Sequence, residues 1–540
     1  MNHVPLLSLI ILVPWAGALL LAVLPKLAPG TARALTLAIS LSTLALGLVA
    51  LSAFNPAVTG FQFVERYDWI SALNVHYHLG LDGMSLLLVL LTGLVSPAAL
   101  LASWKQTQCP RSFGLLFLAL QGAALGVFLA LDFFHWFIFW ELSLVPAFFL
   151  IKLWGGGSGE SGHAAASRAA YQFFIYTMAG SAFMLFGFAA IFAATGTLDF
   201  TQLARLATDG LLVEKLAAVS GFWPQTVFVG VLLGLAVKVP LFPFHTWLPP
   251  AYAEAPTGVS MFLTGVMSKM GVYGFLRILW PLFPGHLHAA SGWLLWLALG
   301  GVVFGAFAAM RQTDLKRMVA YSSVNHLSYC LLALFAVSSC GSELARDASA
   351  AALSGTLLQM FNHGLSAAAL FLCVGILETR SGGQRGLNDF GGVRTAAPIF
   401  AGLCGIAMFS SLGLPGLNGF VGEFLIFRGV FGLAPSFAAI ATLGLLATAL
   451  FLLTFWQRVF HGPVGMNVGG TLRPDSVHGD QASGPKAPPT AVGFADLGGA
   501  DLVALVPLIA LMFLFGVLPH LLTGLFNPLV LSWASHLPLP

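Results

Sequence analysis

Charge is what this chain has least of. Asp, Glu, Lys and Arg make up 8% of its 540 residues, against about 25% in a soluble domain. An ordinary soluble fold is excluded. Hydrophobic residues reach 58% and the mean hydropathy is +0.90, so the chain belongs in a bilayer. Its apolar runs are long and unbroken, which excludes a large β-barrel, whose strands alternate over about ten residues. Cysteine is scarce too. Cys109, Cys330, Cys340, Cys373 and Cys404 are scattered, with no CxxC pair and no Cys/His cluster. No metal, iron–sulfur or haem cofactor is expected. No basic stripe suggests nucleic acid, and a net charge of +3 from so few charges decides little about partners. The opening Met1-Asn2-His3-Val4-Pro5 lacks a basic region before its apolar run. A retained first helix is expected there, not a cleaved signal.

What is present is a series of apolar runs near the roughly 20 residues that span a bilayer. Fourteen are found, at 4–25, 33–53, 80–103, 112–131, 133–153, 169–195, 226–248, 256–281, 290–309, 316–338, 352–377, 397–431, 435–458 and 502–526. The expected fold class is an all-α polytopic membrane protein. Lysine and arginine set its orientation. Connections after odd-numbered spans carry fifteen of them, and those after even-numbered spans carry four, Arg66, Arg205, Lys215 and Arg346. Both termini are therefore expected on the outer face. Two connections are long. Residues 54–79 are polar and aromatic and are expected as an outer loop. Residues 459–500 are rich in Gly, Pro, Ser and Asp and are expected to be largely disordered or pressed against a partner. After the last span only a short tail to Pro540 is expected.

The chain is organised around Leu235-Ala-Val-Lys238-Val-Pro240-Leu-Phe-Pro243-Phe-His245-Thr-Trp247-Leu-Pro249, within span 7. A lysine at bilayer depth costs at least about 2.5–3.5 kcal/mol and tends to face a protein interior. Proline breaks the helix, and the freed carbonyls must be buried in protein or line a wet cavity. Span 12 is interrupted in the same way at Gly413-Leu-Pro415-Gly416-Leu-Asn418-Gly419. The two breaks lie five spans apart, and a repeat with an odd number of crossings must invert. Inverted repeats with matched broken helices point to an ion site at the midplane. Spans 4–8 (112–281) and 9–13 (290–458) are read as two inverted five-helix repeats. Residues 1–79 hold the first two spans and the outer loop, 80–111 the third span, 459–500 a polar inner loop, and 501–540 the last span and tail.

The few charges within spans form a constellation. Glu141, in Trp140-Glu141-Leu-Ser-Leu-Val-Pro146, should be neutral or paired in so apolar a run. Lys238 is its natural partner, in a functional or a purely structural pair. Lys269 has no acid close by in its own helix, and burial disfavours charge, which suits a group that takes up and releases a proton. The alternative is snorkelling to a surface. His326 and His363 can relay protons or merely hydrogen-bond across helices. Glu423 follows the break in span 12, as the last carboxylate of a path or as a cap on the second half-helix. His245, at the mouth of the other break, could link the path to water or be simply interfacial. Asp82 and Asp132 sit at helix starts and read as caps.

These residues lie in motifs that carry a family resemblance. Phe139-Trp-Glu141-Leu-Ser-Leu-Val-Pro146, the Lys238 run, Glu254-Ala-Pro256-Thr257, Asp314-Leu-Lys316-Arg317-Met-Val-Ala-Tyr321-Ser322-Ser323-Val-Asn-His326 and Gly413-Leu-Pro415-Gly-Leu-Asn418-Gly-Phe-Val-Gly422-Glu423-Phe resemble the antiporter-like membrane subunits of respiratory complex I. The likeness covers about residues 80–460. The acid at 423, where other branches have lysine, and the short end after span 14 resemble the subunit M (chain 4) branch. The resemblance implies that Glu141 and Lys238 form a switchable pair, that Lys269 passes the proton on, and that Glu423 ends the half-channel. It implies no cofactor and no NADH or quinone site in this chain. It implies antiporter-like neighbours on both sides in an energy-transducing membrane, most simply a bacterial inner membrane. One motif departs. The family commonly has Leu-Pro-Asp-Ala-His where this chain has Leu248-Pro249-Pro250-Ala251-Tyr252, which removes an acid and a histidine from the inner uptake route. A sodium/proton antiporter of the Mrp type, or the pump subunit of a membrane-bound hydrogenase or bicarbonate-linked complex, is the alternative expectation.

Overall fold

The computed structural model describes residues 5–24, 26–106, 108–157, 159–340, 345–461 and 494–535. The chain opens with α1 (Leu6–Val23) and α2 (Pro29–Ala53), then a hairpin of β1 (Gln62–Ile70) and β2 (Val75–Leu81). Next come α3 (Gly83–Ala102), α4 (Pro110–Leu129), α5 (Phe133–Trp154) and α6 (Glu160–Thr195). Two short helices, α7 (Phe200–Thr208) and α8 (Leu211–Val219), precede α9 (Trp223–Lys238) and α10 (Leu248–Glu254). Then follow α11 (Thr257–Leu282), α12 (Pro284–Met310), α13 (Leu315–Ser339) and α14 (Arg346–Arg380). The chain continues through α15 (Pro398–Ser411), α16 (Asn418–Leu433), α17 (Pro435–His461), α18 (Gly499–Val517) and α19 (His520–Ser535).

Local chemistry explains many helix starts. Asp82, Asp132, Asp199 and Asp314 are N-caps whose side chains accept from Ser85, Phe134, Thr201 and Arg317 backbone N–H groups, which satisfies donors that have no partner inside the helix. Proline opens α2, α4, α12, α15 and α17, where its missing N–H costs nothing. Among the described residues, twelve helices are long and apolar enough to cross a membrane, or thirteen if α8 and α9, bent by 110°, count as one span. α15 and α16, divided at 412–417, lie where the sequence suggests one further, broken span.

Two expectations are corrected. The outer loop 54–79 is largely the β1–β2 hairpin. Its Glu65 reaches back to the start of α1, where its carboxylate accepts from Leu7 N at 2.7 Å and from the Ser8 hydroxyl. An acid answers the free N–H groups of a helix start. The last span ends at Val517, since Pro519 cannot continue it, and α19 follows in place of a tail. It crosses the start of α3, where a Cβ on Gly83 would lie 2.3 Å from Leu525 O. The long polar loop is described only at its flanks, and 462–493, with Arg473, His478 and Lys486, lies outside the described residues, as do His3 and His536. The flank after it is docked. Asp496 accepts from Ile399 and Phe400 N–H, both at 2.9 Å, and Phe494 stacks on Phe400.

The core decides where a site can be. The apolar windows of α11 and α14 are buried along their whole length, and α13 nearly so. Each of these three innermost helices carries a titratable group, Lys269, His363 and His326, and all three groups are buried.

Candidate functional site

Lys238 is the last residue of α9 and is buried. The helix stops there because Pro240 supplies no N–H; Leu241 N turns to the Ala236 carbonyl at 2.9 Å, and the Val237 carbonyl it leaves accepts from Trp247 Nε1 at 2.9 Å. Lys238 Nζ donates to Ser143 Oγ at 3.2 Å and lies 4.8 Å over the Trp140 ring. Residues 140 and 143 share one face of α5. Glu141 is rotated about 100° from that face. The expected direct pair is therefore not formed. Among the described residues no ion pair joins Glu141 to Lys238, although the two interact electrostatically. One Glu141 carboxylate oxygen is buried without a hydrogen-bond partner.

Lys269 sits between two π-helical turns in α11, Leu263–Met267 and Phe275–Leu279. Such turns redirect carbonyls and recur at functional sites. Lys269 Nζ donates to one of these carbonyls, Thr264 O, at 2.5 Å, and to Ser268 Oγ at 3.3 Å. It is fully buried and does not snorkel. The helices of the two lysines touch one residue from Lys238, since a Cβ on Gly271 would lie 2.7 Å from Val239 N. Among the described residues no hydrogen bond links the lysines directly.

From Lys269 the buried titratable groups follow one another, by hydrogen bond, ring stacking and ion pair. Its Nζ is 2.9 Å from His363 Nδ1. The His363 ring stacks on His326, with centroids 5.0 Å apart and planes at 21°. His326 Nε2 is 3.3 Å from Glu423 Oε1 and 3.1 Å from Ser411 O, and its Nδ1 is 2.7 Å from Ser322 O. Both ring nitrogens thus face acceptors. Glu423 also accepts from Gln359 Nε2 at 3.3 Å. The break before it lets this happen. Gly413 has φ +77°, and a Cβ there would lie 2.7 Å from Glu423 Oε2. Asn362 and Asn418 bond reciprocally to each other's backbone carbonyl, at 2.7 and 3.3 Å, which pins α16 to α14 beside the path.

Residues 130–450 match the family described as NADH:quinone oxidoreductase/Mrp antiporter, TM, more than half of the chain. The chain belongs to this family. This NADH:quinone oxidoreductase/Mrp antiporter chain is 32% identical to NADH-quinone oxidoreductase subunit M of Mycobacterium tuberculosis, over 98% of this chain and 94% of that protein. It is 37% identical to F(420)H(2) dehydrogenase subunit M of Methanosarcina mazei, over 80% of this chain and 83% of that protein. It is 32% identical to NADH-ubiquinone oxidoreductase chain 4 of Arabidopsis thaliana, over 98% and 97%. Its structure resembles a chain of respiratory complex I from Thermus thermophilus, with a TM-score of 0.76, 29% identity, and coverage of 98% of this chain and all of that one. A chain of the Mrp complex from Dietzia, at 21% identity and TM-score 0.75 over 98% of each chain, shares the fold.

Within this antiporter-family fold four of the sequence-chosen residues meet, Lys269, His363, His326 and Glu423. Glu141 and Lys238 form a second group. His245 joins neither. It is buried among the rings of Phe242, Phe304 and Tyr321, with Nδ1 unpartnered. Reading the sequence missed the carbonyls of Thr264 and Ser411, because nothing in a sequence marks a carbonyl freed by a π turn or a break, and it missed Gln359 and the Ser322 carbonyl, which meet the site through packing. It also missed a charged clamp at the end assigned to the inner face. Arg385 meets Asp314 at 2.6 Å and Glu254 at 2.9 Å, and Lys316 meets Glu378 at 2.7 Å. These pairs tie α10, α13 and α14 together next to Pro250 and Tyr252.

Proposed function

We propose that this chain is a proton-translocating membrane subunit of an NADH-quinone oxidoreductase of the complex I type, a subunit without a redox site of its own. The buried series Lys269–His363–His326–Glu423 carries the reading, because four titratable groups in contact at the core of an apolar protein are costly unless they are used. A proton reaching Lys269 passes to His363 Nδ1 along the 2.9 Å contact, on to His326, and then to Glu423. Lys238 supplies it, and Glu141 biases Lys238 by its charge across the Ser143–Trp140 face. Moving one charge against 100 mV costs about 2.3 kcal/mol, so the drive comes from partner subunits. Residues 112–281 and 290–458 act as the two inverted halves, each broken at its ion site. Antiporter-like neighbours flank the chain in an energy-transducing membrane, with a bacterial inner membrane the natural setting.

The test is the intact complex in sealed vesicles. Lys269→Ala is expected to lower the proton-to-electron ratio, and an undiminished ratio would sink the scheme. The electron donor is a separate question, since one relative at 37% identity is a subunit of an F(420)H(2) dehydrogenase. The dehydrogenase that co-purifies with the chain decides it. Sodium uptake driven by a proton gradient in the same vesicles would favour the antiporter instead.

A further inference from the structure

α15 ends at the site and begins far from it. At its end, Ser411 O lies 3.1 Å from His326 Nε2, and Ser410 Oγ donates to Asn418 Oδ1 at 2.6 Å across the break. At its start the helix lacks a cap of its own, since Ala397 offers no side-chain acceptor. The N–H groups that such a cap would take, those of Ile399 and Phe400, instead donate to Asp496 at 2.9 Å each. Asp496 stands 97 residues beyond Ile399, in a strap of residues 494–501. The same strap holds the end of α14. Arg380, the last residue of that helix, donates to Ala495 O and pairs with Asp501. Its guanidinium lies 5.6 Å over the Phe494 ring, which stacks on Phe400. Asp501 is in the first turn of α18. The far end of α18 returns to the break, where a Cβ on Gly516 would lie 2.5 Å from Leu417 Cα.

α15 and α18 are therefore two rods of about 20 Å, each tied to the strap at one end and to the break at the other. Helices are stiff along their axes, and close-packed interiors transmit displacement. Resting on the proposed function, we infer that Asp496 and Arg380 are positioning residues, which fix where the broken span lies and so hold Ser411 O and Glu423 against His326. α14 bears His363 and Gln359, so the strap ties the helix that carries these groups to the two that frame the break. The His326–Glu423 contact is 3.3 Å, and a misplacement of about 1 Å at a reacting contact can cost about 10²-fold in rate. Capping α15 needs only the two bonds to Asp496. The Arg380 contacts, made from another helix, add nothing to a cap.

The experiment uses the whole complex in sealed vesicles and separates the cap from the strap. Asp496→Ala is expected to lower both the apparent melting temperature and the proton-to-electron ratio. Adding Ala397→Ser gives α15 a cap of its own. The double variant is expected to recover the melting temperature and not the ratio, because α15 is still untied from the strap. Arg380→Gln, which leaves Asp496 in place, is expected to lower the ratio as well. If Asp496→Ala keeps the parental ratio, or Ala397→Ser restores the ratio together with the melting temperature, Asp496 is a cap only and the inference is wrong. Glu423→Gln tests the underlying reading in the same vesicles. If it pumps in full, the proposed function fails first. If it loses its share while both strap variants pump in full, only the positioning role falls. Should Asp496→Ala not assemble, Asp496→Asn, which keeps one acceptor oxygen, replaces it with the same outcomes.

Discussion

At the residue scale the site depends on which groups touch. His363 joins the two halves of the series, because it contacts both Lys269 and His326. His363→Ala is expected to slow the step by about 10²-fold or more, the usual worth of a positioned proton carrier. Pre-steady-state proton release from the reconstituted complex reads it, and a parental rate would remove His363 from the path. Asp82 shows the opposite balance. Beyond capping α3, it meets Arg277 at 2.5 Å, and both side chains are almost wholly buried. Removing one partner of a buried pair leaves the other charge uncompensated, at a cost of about 3–5 kcal/mol. Asp82→Ala should therefore lower the yield of assembled complex on a native gel far more than it changes turnover per assembled complex.

At the element scale the breaks and π turns place the charges. The break before α16 closes so tightly that a Cβ on Gly419 would lie 1.9 Å from Ser410 O. The contact of α9 with α11 at Gly271 is tight against backbone. Overpacking of this kind costs about 1–3 kcal/mol. Gly271→Ala should lower the apparent melting temperature and also slow proton transfer, because it parts the helices that bear Lys238 and Lys269. A variant that melts lower but pumps normally would show that this approach serves packing only. Both breaks were legible in the sequence, since proline and glycine inside an apolar run have one meaning. The π turns around Lys269 were not, because Leu263–Met267 and Phe275–Leu279 contain ordinary helix formers and are imposed by neighbours.

At the scale of the whole molecule a polar collar closes the end that bears the β1–β2 hairpin. Asp199 caps α7, accepts from His78 Nδ1 at 2.9 Å and meets Arg66 at 3.7 Å, which joins the hairpin to the α6–α9 connection. Burial pushes the Asp199 carboxyl up, but hydrogen bonds from His78, Thr201 and Gln202 outweigh it and hold the group at about 2. Its stabilising share is complete above about pH 4, the range of an unfolded carboxyl, and is lost as pH falls toward 2. The apparent melting temperature of the purified complex should drop over that window, and Asp199→Asn should flatten this part of the profile. An unchanged profile would mean that the collar adds nothing. The sequence by itself determined the membrane class, the caps at Asp82 and Asp132, the two broken spans and the identity of the buried charges. These follow from composition, periodicity and backbone chemistry, which act over a few residues. Only the tertiary structure decided that Lys269, His363, His326 and Glu423 form one series, and that Lys238 meets Ser143 and Trp140 in place of Glu141. Which face of one helix meets which face of another depends on packing between segments far apart in the chain, where a rotation of about 100° per residue is enough to exchange one partner for another.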